Sequence, residues 1–224
     1  MSKHESTLKL HYGLMPRTAT ADEIKREPMF FRADVEYASK HGGDLTRNFI
    51  DAAYEVWGDL SGVIIDTRHH MLMPGMFPCI PGWHTDDAPR SNPQYAGQPD
   101  LFDPEYVTEH LLTIVDNGTG SLTEFLQGDV ALNPRVLIDR FNNDGDNFYK
   151  TADQIIDLTR PGWVIHPRAG DVVAFNSHSW HRGTPAQQRG FRWFARMTRG
   201  SRHAVQNELR SNSQVYLTDA TYGW

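Results

Sequence analysis

Leu8, Leu10, Tyr12 and Leu14 alternate with Lys9, His11 and Gly13, the two-residue period of a half-buried strand, so the chain is expected to enter its fold almost at once. Helical spacing follows. Thr20 and Glu23 form a capping box for a short helix that Pro28 bounds, and a second short helix fits Ala33 to Lys40, ending at Gly42-Gly43. Between Asp44 and Gly58, the residues Leu45, Phe49, Ala52, Ala53, Val56 and Trp57 fall on one face, with Asp44 as the expected N-cap and Gly58 as the stop. An apolar face of that width needs cover, most simply from a sheet.

After Gly62 the period shifts to two. Val63-Ile64-Ile65 opens a strand, whereas MLMPGMFPCIPGWHTDDAP (71–89) holds too many prolines for a helix or a central strand and reads as a sheet edge or the rim of a site. Arg90 to Glu105 has loop composition and is long for a connection, which suits a binding loop and a plain surface loop equally. His110 to Val115 and Ser121 to Leu126, around Asp116-Asn117-Gly118, predict a hairpin. Residues 129–162 are weakly patterned apart from a polar turn at Asn142 to Asn147. Gly162 to Pro167 and Asp171 to Asn176 predict a strand pair around Pro167-Arg168-Ala169-Gly170, and Phe191 to Thr198 alternates strongly. The C-terminal QVYLTDATYGW admits one more strand. Short strands and frequent turns behind a helical layer predict a mainly β fold, barrel-like or jelly-roll, with the N-terminal helices packed outside. No repeat or linker divides the chain, so one domain is expected: a strand and helical layer over 1–62, a β core over 63–199 and an extension over 200–224.

Composition agrees with a turn-rich globular chain: 224 residues, 39% hydrophobic, with 13 Pro and 18 Gly. A formal charge of −6 argues against broad, sequence-blind nucleic-acid binding. Seven arginines from Arg182 to Arg210 against Glu208 alone nevertheless keep a local anion-binding surface open, nucleic acid included. Cys79 is the single cysteine, which removes a disulfide framework and a thiolate-rich metal site and favours a reducing, intracellular setting. No apolar run approaches the ~18 residues of a membrane span and the N-terminus has no apolar signal segment, so a cytoplasmic location without a membrane partner is expected.

The candidate chemistry centres on His84-Thr85-Asp86. On an extended strand residues two apart share a face, so an imidazole and a carboxylate project together. Such a triplet arises by chance in a chain with 11 His, and its weight depends on what converges on it. A mononuclear non-haem iron site takes His-x-Asp from one strand and a distant His from another, leaving open positions. His181 follows the strand ending at Asn176 and leads into the last strand, which makes it the expected third ligand; His178 competes. On the last strand Arg192, Phe194, Arg196 and Thr198 share a face, and two arginines cannot both be buried without anionic partners. A dicarboxylate cosubstrate held by Arg192 in a bidentate pair is one such partner. An Arg face in water with the Trp193 face in the core fits the alternation equally well. His69 and His70 are candidates for a substrate contact. The run NNDGD (142–146) fails as a calcium loop, because with Gly145 at the sixth position the first ligand is Arg140.

In this order and spacing GWHTDD, the strand GSLTEFLQG, RAGDVVAFNSHSWHRGTP and Arg192 resemble the Fe(II)- and 2-oxoglutarate-dependent oxygenases, in particular the phytanoyl-CoA dioxygenase-like branch, over about residues 63–199. The resemblance implies a double-stranded β-helix core of jelly-roll or cupin-like type, with Fe(II) on His84, Asp86 and His181. It implies 2-oxoglutarate anchored by Arg192, with Thr113 and Arg196 as candidates for its second contact, and O2 at the last open position. Oxidative decarboxylation to succinate and CO2 then drives oxidation, hydroxylation by default, of a small or anionic substrate reached through the loop from Asp87 to Glu105. Gly128-Asp129-Val130 departs from the family's usual Gly-Ser-His and leaves the second cosubstrate contact unmapped. Asp86 argues against a halogenase, which replaces that carboxylate with a small residue. Two expectations of other classes stand beside this one: a cupin-like binding protein without turnover, and a metal enzyme that does not use 2-oxoglutarate and in which Arg192 serves the substrate.

Overall fold

A computed structural model describes residues 2–105 and 107–217. Strands β1 (Ser2–Ser6) and β2 (Leu8–His11) are followed by helix α1 (Ala21–Arg26), the short strands β3 (Met29–Phe31) and β4 (Ala33–Asp34), and helices α2 (Val35–His41) and α3 (Asp44–Trp57). Next come β5 (Ile64–Leu72), β6 (Met76–Phe77), a 3-10 turn at Pro93–Tyr95, β7 (Glu109–Asn117) and β8 (Thr123–Leu132). Helices α4 (Pro134–Asp144) and α5 (Phe148–Thr159) precede β9 (Gly162–Ile165), β10 (Val172–Asn176), β11 (His181–Gly183), β12 (Gly190–Arg199), β13 (Glu208–Arg210) and β14 (Tyr216–Leu217). Among the described residues no helix is long and apolar enough to cross a membrane.

The strands pair antiparallel. The larger sheet runs β2-β10-β7-β12-β5-β4, and in the smaller one β8 bonds to β1, β9 and β11. Three apolar cores follow from the two-residue period of these strands. Trp193, Ala195 and Met197 of β12 pack with Phe49, Ile50 and Ala53 of α3, so the N-terminal helices cover the outer face of the larger sheet. Between the sheets Leu112, Ile114, Val173 and Phe175 meet Phe125 of β8, with the two phenyl centroids 5.1 Å apart. Behind the smaller sheet Leu126, Val130 and Leu132 pack on Leu137 of α4 and on Phe148, Ala152 and Ile156 of α5. The Trp face of β12 therefore meets helices and its Arg face points between the sheets.

Two expected strand pairs do not form. β7 pairs with β10 and β12 while β8 pairs with β1, β9 and β11, so the Asp116-Asn117-Gly118 turn carries the chain from one sheet to the other and makes no hairpin. β9 bonds to β8, and β10 bonds to β2 and β7, so these two also lie in different sheets. Alternation fixes which side chains share a face; the neighbouring strand is chosen by packing far along the chain. The weakly patterned stretch contains α4 and α5, whose ends carry ordinary signals: Asn133 caps before Pro134, Gly145 closes in the left-handed region, and Asn147 caps α5. Of the expected C-terminal strand, Tyr216–Leu217 pairs with Met76–Phe77, and residues 218–224 lie outside the described residues.

Helix α3 is capped from outside rather than by Asp44. Its N-cap is Gly43, and the buried carboxyl group of Glu27 accepts from the amides of Gly43 (3.2 Å), Leu45 (2.8 Å) and Thr46 (3.3 Å) and from Thr46 Oγ1 (2.6 Å). A side chain on Gly43 would collide with that carboxyl group. Glu27→Ala strands these donors at a buried helix N-terminus, and a loss of about 3 kcal/mol is expected. Urea denaturation measures it; an unchanged midpoint refutes the cap.

Candidate metal centre and adjoining cavity

The inner face of the larger sheet is unusually charged. Across β5, β12 and β7, Arg192 lies opposite His70 and Asp116, Phe194 opposite Arg68 and Ile114, and Arg196 opposite Asp66 and Leu112. Directly opposed residues share a face. Beyond β6 the Pro-rich segment returns to this face and meets β11 in an antiparallel bridge: His84 N donates to His181 O (3.0 Å) and His181 N to His84 O (2.9 Å). Helix α5 braces the segment from behind, where Asp153 accepts from Trp83 N (2.7 Å) and the Tyr149 hydroxyl donates to Thr85 O (2.8 Å).

The bridge sets two imidazoles side by side, with ring centroids 4.6 Å apart. Asp86 joins them, its Oδ2 lying 3.4 Å from His181 Nε2, and one ligand atom from each of His84, Asp86 and His181 lies within 4.8 Å of the other two. Both rings are oriented from the main chain: His84 Nδ1 meets Gly82 O at 2.9 Å and His181 Nδ1 meets Ser179 O at 3.1 Å. A carbonyl can only accept, so in the neutral ring Nδ1 carries the proton and the Nε2 lone pair is left for the centre. Burial, then the proximity of His181, pushes the His84 imidazole down to about 4 and keeps it neutral. Burial works the other way on Asp86, raising its carboxyl, yet Arg196 and His181 hold it well below the usual carboxylate range. His181 Nε2 and Asp86 Oδ2 face each other across this centre, where one cation would be within reach of both. Two imidazole nitrogens and one carboxylate oxygen are the donor set of mononuclear non-haem Fe(II), and catalytic zinc accepts the same donors.

Arg196 Nη1 lies 2.6 Å from Asp86 Oδ2, and its Nη2 lies 3.1 Å from Asp66 Oδ2. Despite burial, the two carboxylates raise its pKa and keep it charged. Arg196 thus faces the cavity, but its guanidinium is committed to holding Asp86. Thr113 is a correction: it pairs across from Val172 and Ala195 on the helix-covered face, so its side chain turns away from the cavity, and Leu112 faces inward in its place. His178 stays out of the cluster, with its Nε2 3.3 Å from Asp103 O.

No family model matches this chain, and no curated protein does. Among solved structures, HygX from Streptomyces hygroscopicus with iron bound is 12% identical, with a TM-score of 0.46 over 88% of this chain and 83% of that one. An N-substituted L-amino acid dioxygenase from Burkholderia ambifaria AMMD is 11% identical, with a TM-score of 0.40 over 83% of this chain and 74% of that one. Neither likeness is near enough to bear on what this chain does.

Beside the cluster, between the sheets, is a cavity of about 180 Å³ lined by Arg68, His70, Cys79, Thr123, Arg192 and Phe194 among others. Arg192 is only 2% exposed, its Nε has no partner among the described residues, and burial pulls its guanidinium down to about 10. A second cavity of about 540 Å³ shares Asp66, Asp86 and Arg196 with the first and reaches Arg32, Arg90 and Tyr149. Asp87 to Ser91, the start of the long loop, line this second space, while Tyr95 and Leu101 pin the loop into the core behind the smaller sheet. Asp66 and His70 were legible as partners of Arg68 in the alternation IIDTRHHML, since even positions share one face. Tyr149 and Asp153 carried no such signal, because their role depends on where α5 docks.

Proposed function

We propose that this chain is an Fe(II)- and 2-oxoglutarate-dependent oxygenase that hydroxylates a small, anionic substrate, with succinate and CO2 as co-products. The observation that carries this reading is the pairing, in one cavity, of the His84–Asp86–His181 cluster with a buried Arg192 that lacks a partner for Nε among the described residues. Two facing antiparallel sheets with the cluster between them support a double-stranded β-helix core. The donors fit Fe(II): His84 and His181 would bind through Nε2 and Asp86 through a carboxylate oxygen, and Arg192 would hold the far carboxylate of 2-oxoglutarate. Bound there, metal and cosubstrate supply O2 activation coupled to oxidative decarboxylation.

The chain's own residues orient and shield. Gly82 O and Ser179 O fix the two imidazoles, and Arg196, itself held by Asp66, fixes Asp86. Leu112 and Phe194 line the small cavity with apolar surface, which lowers the local dielectric and strengthens the pairing of Arg192 with a carboxylate. The substrate enters the larger cavity on the other side of Asp86, where Arg32 and Arg90 suit an anionic group.

Anaerobic addition of Fe(II) followed by 2-oxoglutarate is expected to produce a weak visible charge-transfer band that requires both. Fe(II) binding without that band favours the metal enzyme in which Arg192 serves the substrate; no metal binding favours the cupin-like binding protein. Stimulation of succinate formation across a panel of small anions then identifies the substrate class.

A further inference from the structure

His70 sits on β5 directly opposite Arg192 of β12. It is 3% exposed, lines the same small cavity, and neither of its ring nitrogens has a hydrogen-bond partner among the described residues. Its neighbour His69 is on the other face of the strand. Burial first, then the adjoining Arg192 and Arg68, pushes the His70 imidazole down to about 3, so the ring is neutral and offers one N–H donor. The acid opposite Arg192, Asp116, is already occupied: it accepts from Thr119 N (3.1 Å) and Gly120 N (3.0 Å) in the turn after β7. Two adjacent buried side chains, both able to donate and both incompletely paired among the described residues, suit an anionic acceptor, since unpaired buried donors are destabilising. Arg68 and Arg192 flank the imidazole and make a cation an unsuitable occupant.

We propose that His70 is the second anchor of the cosubstrate, donating an imidazole N–H to the far carboxylate that Arg192 grips, and that it selects 2-oxo diacids over 2-oxo monoacids. The inference rests on the 2-oxoglutarate reading above. It fills the contact that Thr113, facing the helices, does not make.

Calorimetric titration of the protein loaded with Mn(II), using 2-oxoglutarate and 2-oxobutyrate, tests it; the second acid has the same 2-oxo acid end and lacks the far carboxylate. His70→Ala is expected to weaken 2-oxoglutarate binding about ten- to a hundredfold, the worth of a hydrogen bond to a charged group, and to leave 2-oxobutyrate within about twofold. His70→Gln retains an N–H donor and is expected to recover most of the loss. Unchanged 2-oxoglutarate affinity in His70→Ala, or equal losses for both acids, overturns the proposal alone. A wild-type protein that binds Mn(II) but no 2-oxoglutarate overturns the cosubstrate reading and this inference with it.

Discussion

His84→Ala is expected to lower metal affinity by about a hundredfold or more while the fold survives, since even outer-shell losses at metal sites reach that size. The two hydrogen bonds that tie this segment to β11 run through the main chain of His84 and His181 and do not depend on the imidazole. His84 is also only half-buried, whereas His181 packs against Phe125 and Phe175. The substitution therefore removes one donor of three and little of the core. Anaerobic titration with Fe(II), alongside a thermal melt, separates the two effects. His178→Ala is the companion, and wild-type affinity is expected there because that ring turns towards Asp103 O. Equal Fe(II) affinity in His84→Ala and wild type would remove the cluster from consideration as a metal site.

The candidate cluster was legible before the fold because two of its members are paired by local extended geometry. His-x-Asp puts two donors on one face wherever the strand lies, and His181 is brought opposite His84 by a main-chain bridge that short extended segments form readily. The face of β12 was not legible in the same way: alternation shows two faces and cannot say which one meets helices. That was decided by α3, whose Phe49 takes the Trp193 ring edge-on at 6.4 Å and so turns Arg192 and Arg196 inward. Thr113 failed for a related reason, since it is one residue off the inward register of β7, and a shift of one position moves a side chain to the opposite face.

Partner choice between strands was the least legible feature. A turn as plain as Asp116-Asn117-Gly118 serves a hairpin and a sheet-to-sheet crossing alike, and the crossing won because it sandwiches Ile114 and Phe125 in one core. The same crossing opens the space in which the charged row can sit. Glu27 as the cap of α3, and Tyr149 as the brace of the ligand segment, have no local signature at all, because each acts across a junction between elements distant in sequence.

Arg192→Met is expected to move binding and stability in opposite directions. This guanidinium is almost fully desolvated, its Nε has no partner among the described residues, and burial has drawn its pKa down to about 10. Replacing a poorly compensated buried charge by an apolar side chain of similar length is commonly stabilising, by ~1–3 kcal/mol. The dicarboxylate, however, loses a bidentate partner in a dry cavity, worth roughly 2–5 kcal/mol, so 2-oxoglutarate affinity is expected to fall by about thirtyfold to several thousandfold. Added 2-oxoglutarate should then raise the denaturation midpoint of the metal-loaded wild type and leave that of Arg192→Met where it was. Urea denaturation with and without the acid reads both effects in one series. Unchanged 2-oxoglutarate binding in the variant would shift the anchor to Arg68, which lines the same cavity, because Arg189 is exposed and Arg196 is held between Asp66 and Asp86. A stability gain together with lost binding would show that the unpaired charge is retained for its ligand and at the expense of the empty fold.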